Sequence, residues 1–183
     1  MIKIPLKLFK MVKKNKISRY LSYSEIIKSY TAIKNGYNNI PNPIQLKNIE
    51  LWGINIFDPI RKFIKKPLGC ASIFRCSELN KKIGGSIHSQ HCANFGAAGD
   101  IDADIYNNST NEKIFRFAKD NLDFDQMIIE GLQDGRIQWV HISYVSTIKN
   151  RNKILMMYIE NGKTHYEYYS KVRFDEIINK FKK

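Results

Sequence analysis

The segment Ser89-Gln90-His91-Cys92-Ala93-Asn94-Phe95-Gly96-Ala97-Ala98-Gly99-Asp100, answered by Trp139-Val140-His141-Ile142-Ser143, constrains the fold of this chain more than any other feature. Two imidazoles and a carboxylate are suitable zinc ligands. As a set of three they leave one coordination position open, which separates a catalytic zinc from a structural one. To place His91, Asp100 and His141 on one ion, the chain must set a small-residue segment beside a much later strand. Gly96-Ala97-Ala98-Gly99 has little side-chain bulk and reads as a tight loop returning Asp100 towards His91. Trp139–Tyr144 reads as an alternating strand, with Trp139, His141 and Ser143 on one face and Val140, Ile142 and Tyr144 on the other. A histidine in such a strand is more often a satisfied core residue; the company of His91 and Asp100 favours the ligand reading.

The 183 residues suffice for one domain with a sizeable core, expected over 18–183 behind a basic lead-in at 1–17. Thirty Lys and Arg against seventeen Asp and Glu give +13, which predicts attraction to anionic polymers: nucleic acid, acidic cell-wall material or anionic lipid. No apolar stretch approaches the roughly 20 residues that span a bilayer. The N-terminal residues lack a sustained apolar region and a small-residue cleavage site, so no secretory signal is expected. Cys70, Cys76 and Cys92 form neither a disulfide framework nor a CxxC metal pair, and Cys92 beside His91 is better read as a small buried thiol.

Along the chain, Ser22 or Ser24 caps a helix running to about Lys34. Ile44 to Phe63 reads as a helical layer interrupted at Gly53 and restarted at Asp58-Pro59, where proline fits a first turn. Leu68–Phe74 reads as a buried strand, Ser77–Asn80 as the start of a short helix stopped by Gly84-Gly85, and 111–121 as another helix. Strands are expected at Gln126–Glu130, Gln138–Val145, Ile154–Ile159 and His165–Tyr169, the last two joined by a Glu160-Asn161-Gly162 hairpin turn. Helices early and late, with strands clustered between them, give an α+β fold with a mostly antiparallel sheet.

A metal-bound water still needs a proton acceptor, and Glu130 closes an apolar strand where burial would raise its pKa. Arg75, between a strand end and a helix start, suits a substrate carboxylate or a developing oxyanion. Ser89 and Asn80 are candidate substrate hydrogen-bonding groups in the same cleft. Asp102 and Asp104 rival Asp100 as the carboxylate ligand; a calcium loop is disfavoured because the glycine and closing glutamate are missing. His88 and His165 read as surface or supporting residues.

These residues resemble the zinc D-Ala-D-Ala carboxypeptidase and peptidoglycan endopeptidase family, which includes phage endolysins and shares its fold with the Hedgehog signalling domain. The family signature S-x-H, G-x-A-x-D and W-x-H is matched by Ser89-Gln90-His91, Gly96–Asp100 and Trp139-Val140-His141. A phage-type subgroup is further resembled at Ser29–Ala32 with Asn39-Ile40-Pro41, at Asp58–Arg61, at Phe74-Arg75 through Leu79-Asn80 and Gly84–Ser86, and at Phe124-Asp125-Gln126 to Glu130. Two departures stand out. Four residues separate His91 from Gly96, two more than is common, which leaves Asp102 in contention with Asp100. Many members carry a glutamate three residues before the second histidine, where this chain has Gln138.

The resemblance implies a Hedgehog/DD-peptidase-like fold. It also implies a zinc metallopeptidase acting on peptidoglycan stem peptides, with zinc on His91, Asp100 and His141, Glu130 as proton shuttle and Arg75 as anchor. A chain made in the cytoplasm would then reach the wall after release or as a virion component. Two rivals remain open: a non-catalytic zinc-binding or virion module, and a nucleic-acid binder suggested by the charge and the Tyr-rich C-terminal segment.

Overall fold

Ser22 and Glu25 form a reciprocal capping box, Glu25 N–H donating to Ser22 Oγ at 3.2 Å and Ser22 N–H to Glu25 Oε2 at 2.8 Å, which starts helix α1 (Tyr23–Ile27). The helix expected to run on to Lys34 stops after one turn. Lys28 is extended, and Ser29 caps a second short helix, α2 (Tyr30–Lys34). The carbonyls that would continue α1 are used elsewhere: Ile26 O accepts from Phe74 N–H and Ile27 O from Asn39 Nδ2.

Asn42 caps α3 (Pro43–Trp52), which passes without a break through a π-helical turn (Gly53–Phe57) into α4 (Asp58–Ile64). The interruption expected at Gly53 is therefore a π turn, not a restart. A side chain at Gly53 would come within 3.0 Å of Ser18 Oγ, so glycine lets this turn lie against the 18–21 segment. Asp58 holds that segment, accepting from Ser18 Oγ and from the Arg19 and Tyr20 amides at 2.7–3.0 Å.

The structure is a computed structural model and describes residues 15–107 and 109–182. Most of the basic lead-in expected at 1–17 lies outside these residues, while Ile17 is fully buried in the core. Six strands form one mixed sheet: β1 (Gly69–Ser72), β2 (Ala97–Asp102), β3 (Gln126–Glu130), β4 (Trp139–Tyr144), β5 (Lys153–Glu160) and β6 (Lys163–Tyr168), in the order β1-β2-β4-β3-β5-β6. Neighbours are antiparallel except β3 and β5, which run parallel. The fold class is thus α+β, as the sequence pattern predicts. Helices α5 (Ser77–Lys82), α6 (Asn111–Asn121) and α7 (Lys171–Phe181) complete it.

Strand β2 corrects the expectation of a tight loop at Gly96–Gly99. The loop lies just before it, where Ala93 and Gly96 take positive φ values of 55° and 112°. Ala97–Asp102 itself is an interior strand between β1 and β4. Its small residues serve packing: a Cβ on Gly99 would sit 2.4 Å from the Trp52 ring, whose indole N–H donates to Ile142 O on β4 at 2.8 Å. Trp52 therefore pins α3 across β2 and β4, and one apolar cluster runs from Ile17 to Ile178. Among the described residues no helix is long and apolar enough to cross a membrane.

Candidate metal centre and cleft

Antiparallel pairing sets Asp100 of β2 directly opposite His141 of β4. That register brings together residues 41 positions apart and chooses Asp100 over Asp102. Asp102 instead turns at the strand end, where its Oδ1 accepts from the Asp104 amide at 2.9 Å and from Asn111 Nδ2 at 3.2 Å. His91 arrives from a 3-10 turn (Gln90–Cys92) whose first amide bonds are capped by Ser89. Side chains of α3 hold the end of that turn: Gln45 Nε2 donates to Cys92 O and Asn48 Nδ2 to Ala93 O. Arg75 N–H donates to His91 O at 3.0 Å, stitching the turn to the segment that follows β1.

The three side chains converge. His91 Nε2 lies 3.2 Å from both Asp100 Oδ1 and His141 Nδ1, and His141 Nδ1 lies 2.9 Å from Asp100 Oδ1. His91 Nδ1 is 2.7 Å from the Ile73 carbonyl, which can only accept, so this nitrogen carries the proton and Nε2 of a neutral ring presents a lone pair. A buried triangle of acceptors is electrostatically unfavourable unless a proton or cation lies among them. Burial pushes the His91 pKa down despite Asp100 beside it, which favours its neutral form. Burial would push Asp100 up, but the charges and hydrogen bonds of His91 and His141 outweigh it and hold this carboxyl well below the usual range.

The donor set fits zinc. Tetrahedral ligands at about 2.0–2.2 Å from the ion stand about 3.3–3.6 Å apart, close to the triangle observed. Among the described residues His91, Asp100 and His141 are the grouping of metal-ligating side chains that forms, and Cys92 is not part of it. The outer oxygen of Asp100 is also secured, accepting from Arg75 Nη2 at 2.9 Å while Arg75 Nε donates to Ser72 Oγ at 2.9 Å.

The triangle lies in a cavity of about 520 Å³. Arg75, Ser89 and Glu130 line it with the three ligand residues, joined by Trp139, Arg151 and Tyr166. Glu130 pairs with Trp139 across β3 and β4, one step of two residues along from His141 and on the same face. Burial pushes its carboxyl up to about 7, against the opposing influence of His141, Arg75 and a hydrogen bond from Trp139. Gln138 faces the other way: its Oε1 accepts from Arg136 Nη2 at 3.3 Å, and it is not among the cavity-lining residues. The position that departs from the family pattern is therefore outside the cleft.

Asn80, expected as a substrate-binding group, is buried away from the cavity wall. Its Nδ2 donates to Ser86 O at 2.8 Å and its carboxamide fills the space under Gly85, so it supports the turn that forms the cavity rim. Arg151 and Tyr166, which do line the cavity, were not singled out by sequence reasoning. Arg151 is held by Asp125, donating through Nε at 2.7 Å and Nη2 at 2.6 Å. The signals available were the Tyr-x-Tyr spacing at 166–168 and the buried carboxylate at Asp125, which needs a cationic partner.

No curated protein matches the chain. The profile described as Peptidase M15 matches residues 19–143, a span containing every candidate ligand, Arg75 and Glu130. Members of that family are zinc peptidases, and the matched span covers well over half of the sequence. With the ligand triangle and its carboxylate assembled in one cleft, the match establishes that this chain belongs to the M15 peptidase family.

Proposed function

We propose that the chain is a zinc-dependent peptidase of phage type and Hedgehog-like fold. It would hydrolyse D-amino-acid-containing stem peptides of peptidoglycan, as a carboxypeptidase or an endopeptidase. The observation that carries the reading is the convergence of three lone-pair donors within 3.2 Å of one another in the cavity that also exposes Glu130. The residue resemblance to wall-cleaving members supports the substrate class, and a charge of +13 suits an acidic wall polymer.

His91 Nε2, Asp100 Oδ1 and His141 Nδ1 would hold the zinc, which when bound acidifies water and polarises a carbonyl. Glu130 supplies the proton transfers: as the carboxylate it takes a proton from the attacking water, and as the acid it returns one to the leaving amine. Burial raises this carboxyl, to about 7 in the metal-free site, and a bound cation would act in the opposite direction, so both protonation states are within reach of the two roles. Trp139 stands directly across the strand pair from Glu130. Arg75, fixed at Nε and Nη2, has an Nη1 that forms no hydrogen bond among the described residues and is available to a substrate carboxylate or oxyanion.

Mass spectrometry of purified peptidoglycan incubated with the protein tests this. New peptide fragments that disappear with chelator and with Glu130→Ala are expected, and their masses identify the bond. Intact peptidoglycan from several wall chemotypes, with zinc demonstrably bound, would instead make the chain a non-catalytic zinc-binding or virion module.

A further inference from the structure

The catalytic cavity opens onto a sheet face contributed by residues beyond the family match. Strands β5 and β6 follow residue 143, where the matched span ends. Their register continues the row of the metal site: Asp100 pairs with His141, His141 with Ile128, Ile128 with Leu155 and Leu155 with Tyr168. In the neighbouring row of the same face, Met157 pairs with Tyr166, which itself lines the cavity with Glu130. Because strand side chains alternate, Lys153, Leu155, Met157, Tyr166 and Tyr168 share the cavity side.

The opposite side of this hairpin packs on α7. Met156 and Tyr158 are buried, Tyr158 packs on Phe181 of α7, and Glu167 is bonded to Arg173 of the same helix. On the cavity side Tyr166 is 59% and Tyr168 71% exposed, and the Lys153 ammonium sits 4.9 Å from the centre of the Tyr168 ring. Two solvent-facing tyrosines over a half-buried Leu–Met floor, continuous with a catalytic cavity, form a contiguous aromatic–apolar surface of the type that marks a binding site.

We propose that this face holds the saccharide-linked portion of a polymeric substrate. The C–H face of a sugar ring would lie on Tyr166 and Tyr168, with its acidic substituents towards Lys153. The occupant rests on the peptidoglycan reading above, and the platform explains how a cleft of about 520 Å³ engages a polymer much larger than itself. Binding remote from the scissile bond is a means of raising kcat/KM for the polymer above that for a short peptide. The electronegative ring faces suit sugar C–H groups, and the lysine suits carboxylates.

The test has two arms, both on the full chain. In the first, Glu130→Gln protein, which would leave the polymer intact, is co-sedimented with purified insoluble peptidoglycan. Adding Tyr168→Ala should weaken retention about tenfold, the effect of about one good aromatic contact, and Tyr168→Phe should restore it. In the second, the ratio of kcat/KM on the polymer to that on a short stem peptide should fall by a similar factor in Tyr168→Ala and recover in Tyr168→Phe. Circular dichroism melting identifies any variant that fails to fold, in which case Lys153→Ala carries the test. Equal retention and an unchanged ratio would overturn the proposal, as would Tyr168-dependent binding of single-stranded oligonucleotide in preference to peptidoglycan. If no peptide is cleaved by zinc-loaded protein, the peptidase reading fails while the sedimentation arm still decides the platform.

Discussion

Glu130→Gln separates the stability cost of the proposed proton shuttle from its catalytic benefit. In metal-free protein, burial moves the Glu130 carboxyl from 4.5 to about 7, with Asp100 adding to the shift and His141, Arg75 and Trp139 opposing it. Below pH 4.5 the group is protonated in both folded and unfolded chains and carries no penalty. As pH rises above that, the unfolded chain releases its proton first, so it binds fewer protons than the folded one and stability falls. The loss is complete once the pH passes about 7. A tenfold change in proton affinity is about 1.4 kcal/mol, so the loss is about 3 kcal/mol at most, and about 2 kcal/mol after screening by water in the cavity. Glutamine resembles the protonated carboxyl and does not titrate. The stability difference between Glu130→Gln and the parent, from urea unfolding in chelator, should therefore grow by about 2–3 kcal/mol in favour of glutamine between about pH 4.5 and pH 8. With zinc restored, the same substitution should lower kcat by about 10²–10⁴-fold. A pH-independent stability difference would refute the reasoning, because Glu130 would then be an ordinary solvated carboxylate.

The remaining predictions concern the ligands, their support and the sheet beneath. Zinc at about a hundred times its Kd should stabilise the protein by about 2.7 kcal/mol, and thermal melts of His141→Ala should show that gain largely lost. Arg75→Lys replaces the rigid fork, whose two nitrogens bond Ser72 and Asp100 separately, with a single mobile nitrogen, so calorimetric titration should show zinc affinity reduced about 10–100-fold. Gln138→Ala should leave kcat/KM on a stem peptide within about twofold of the parent, since its side chain faces Arg136 outside the cavity. Gly99→Ala would put a methyl 2.4 Å from the Trp52 ring, and urea unfolding should show a loss of about 1–3 kcal/mol.

Sequence patterns revealed most elements because they record local chemistry. The capping box at Ser22, the 111–121 helix and the Asn161-Gly162 hairpin are each written within a few residues. The misread segments are those where distant groups decide. Nothing in Ser22–Lys34 announces that Phe74 and Asn39 will take the carbonyls of Ile26 and Ile27 and end α1 early. Ala97-Ala98-Gly99 has poor intrinsic strand preference, yet it forms strand because β4 pairs along it, β1 flanks its continuation at 100–102, and Trp52 occupies the room that a side chain at Gly99 would need.

The candidate site divides along the same line. His91, Asp100 and His141 were readable because zinc chemistry restricts residue types so strongly, but the choice of Asp100 over Asp102 depended on a register that only the paired sheet fixes. Strand parity also accounts for where Gln138 lies. A side chain three residues from His141 on an extended strand belongs to the opposite face, whereas Glu130 reaches the cavity through its partner Trp139, two residues from His141. A carboxylate can thus serve this cleft from β3 without any residue at 138 taking part. Gly131, at φ 77°, lies against Gln138, and a Cβ added there would come within 2.3 Å of its Cγ. That close packing keeps Gln138 on the far side, so replacing Gln138 alone with glutamate would place a second carboxylate beside Arg136 and not in the cleft.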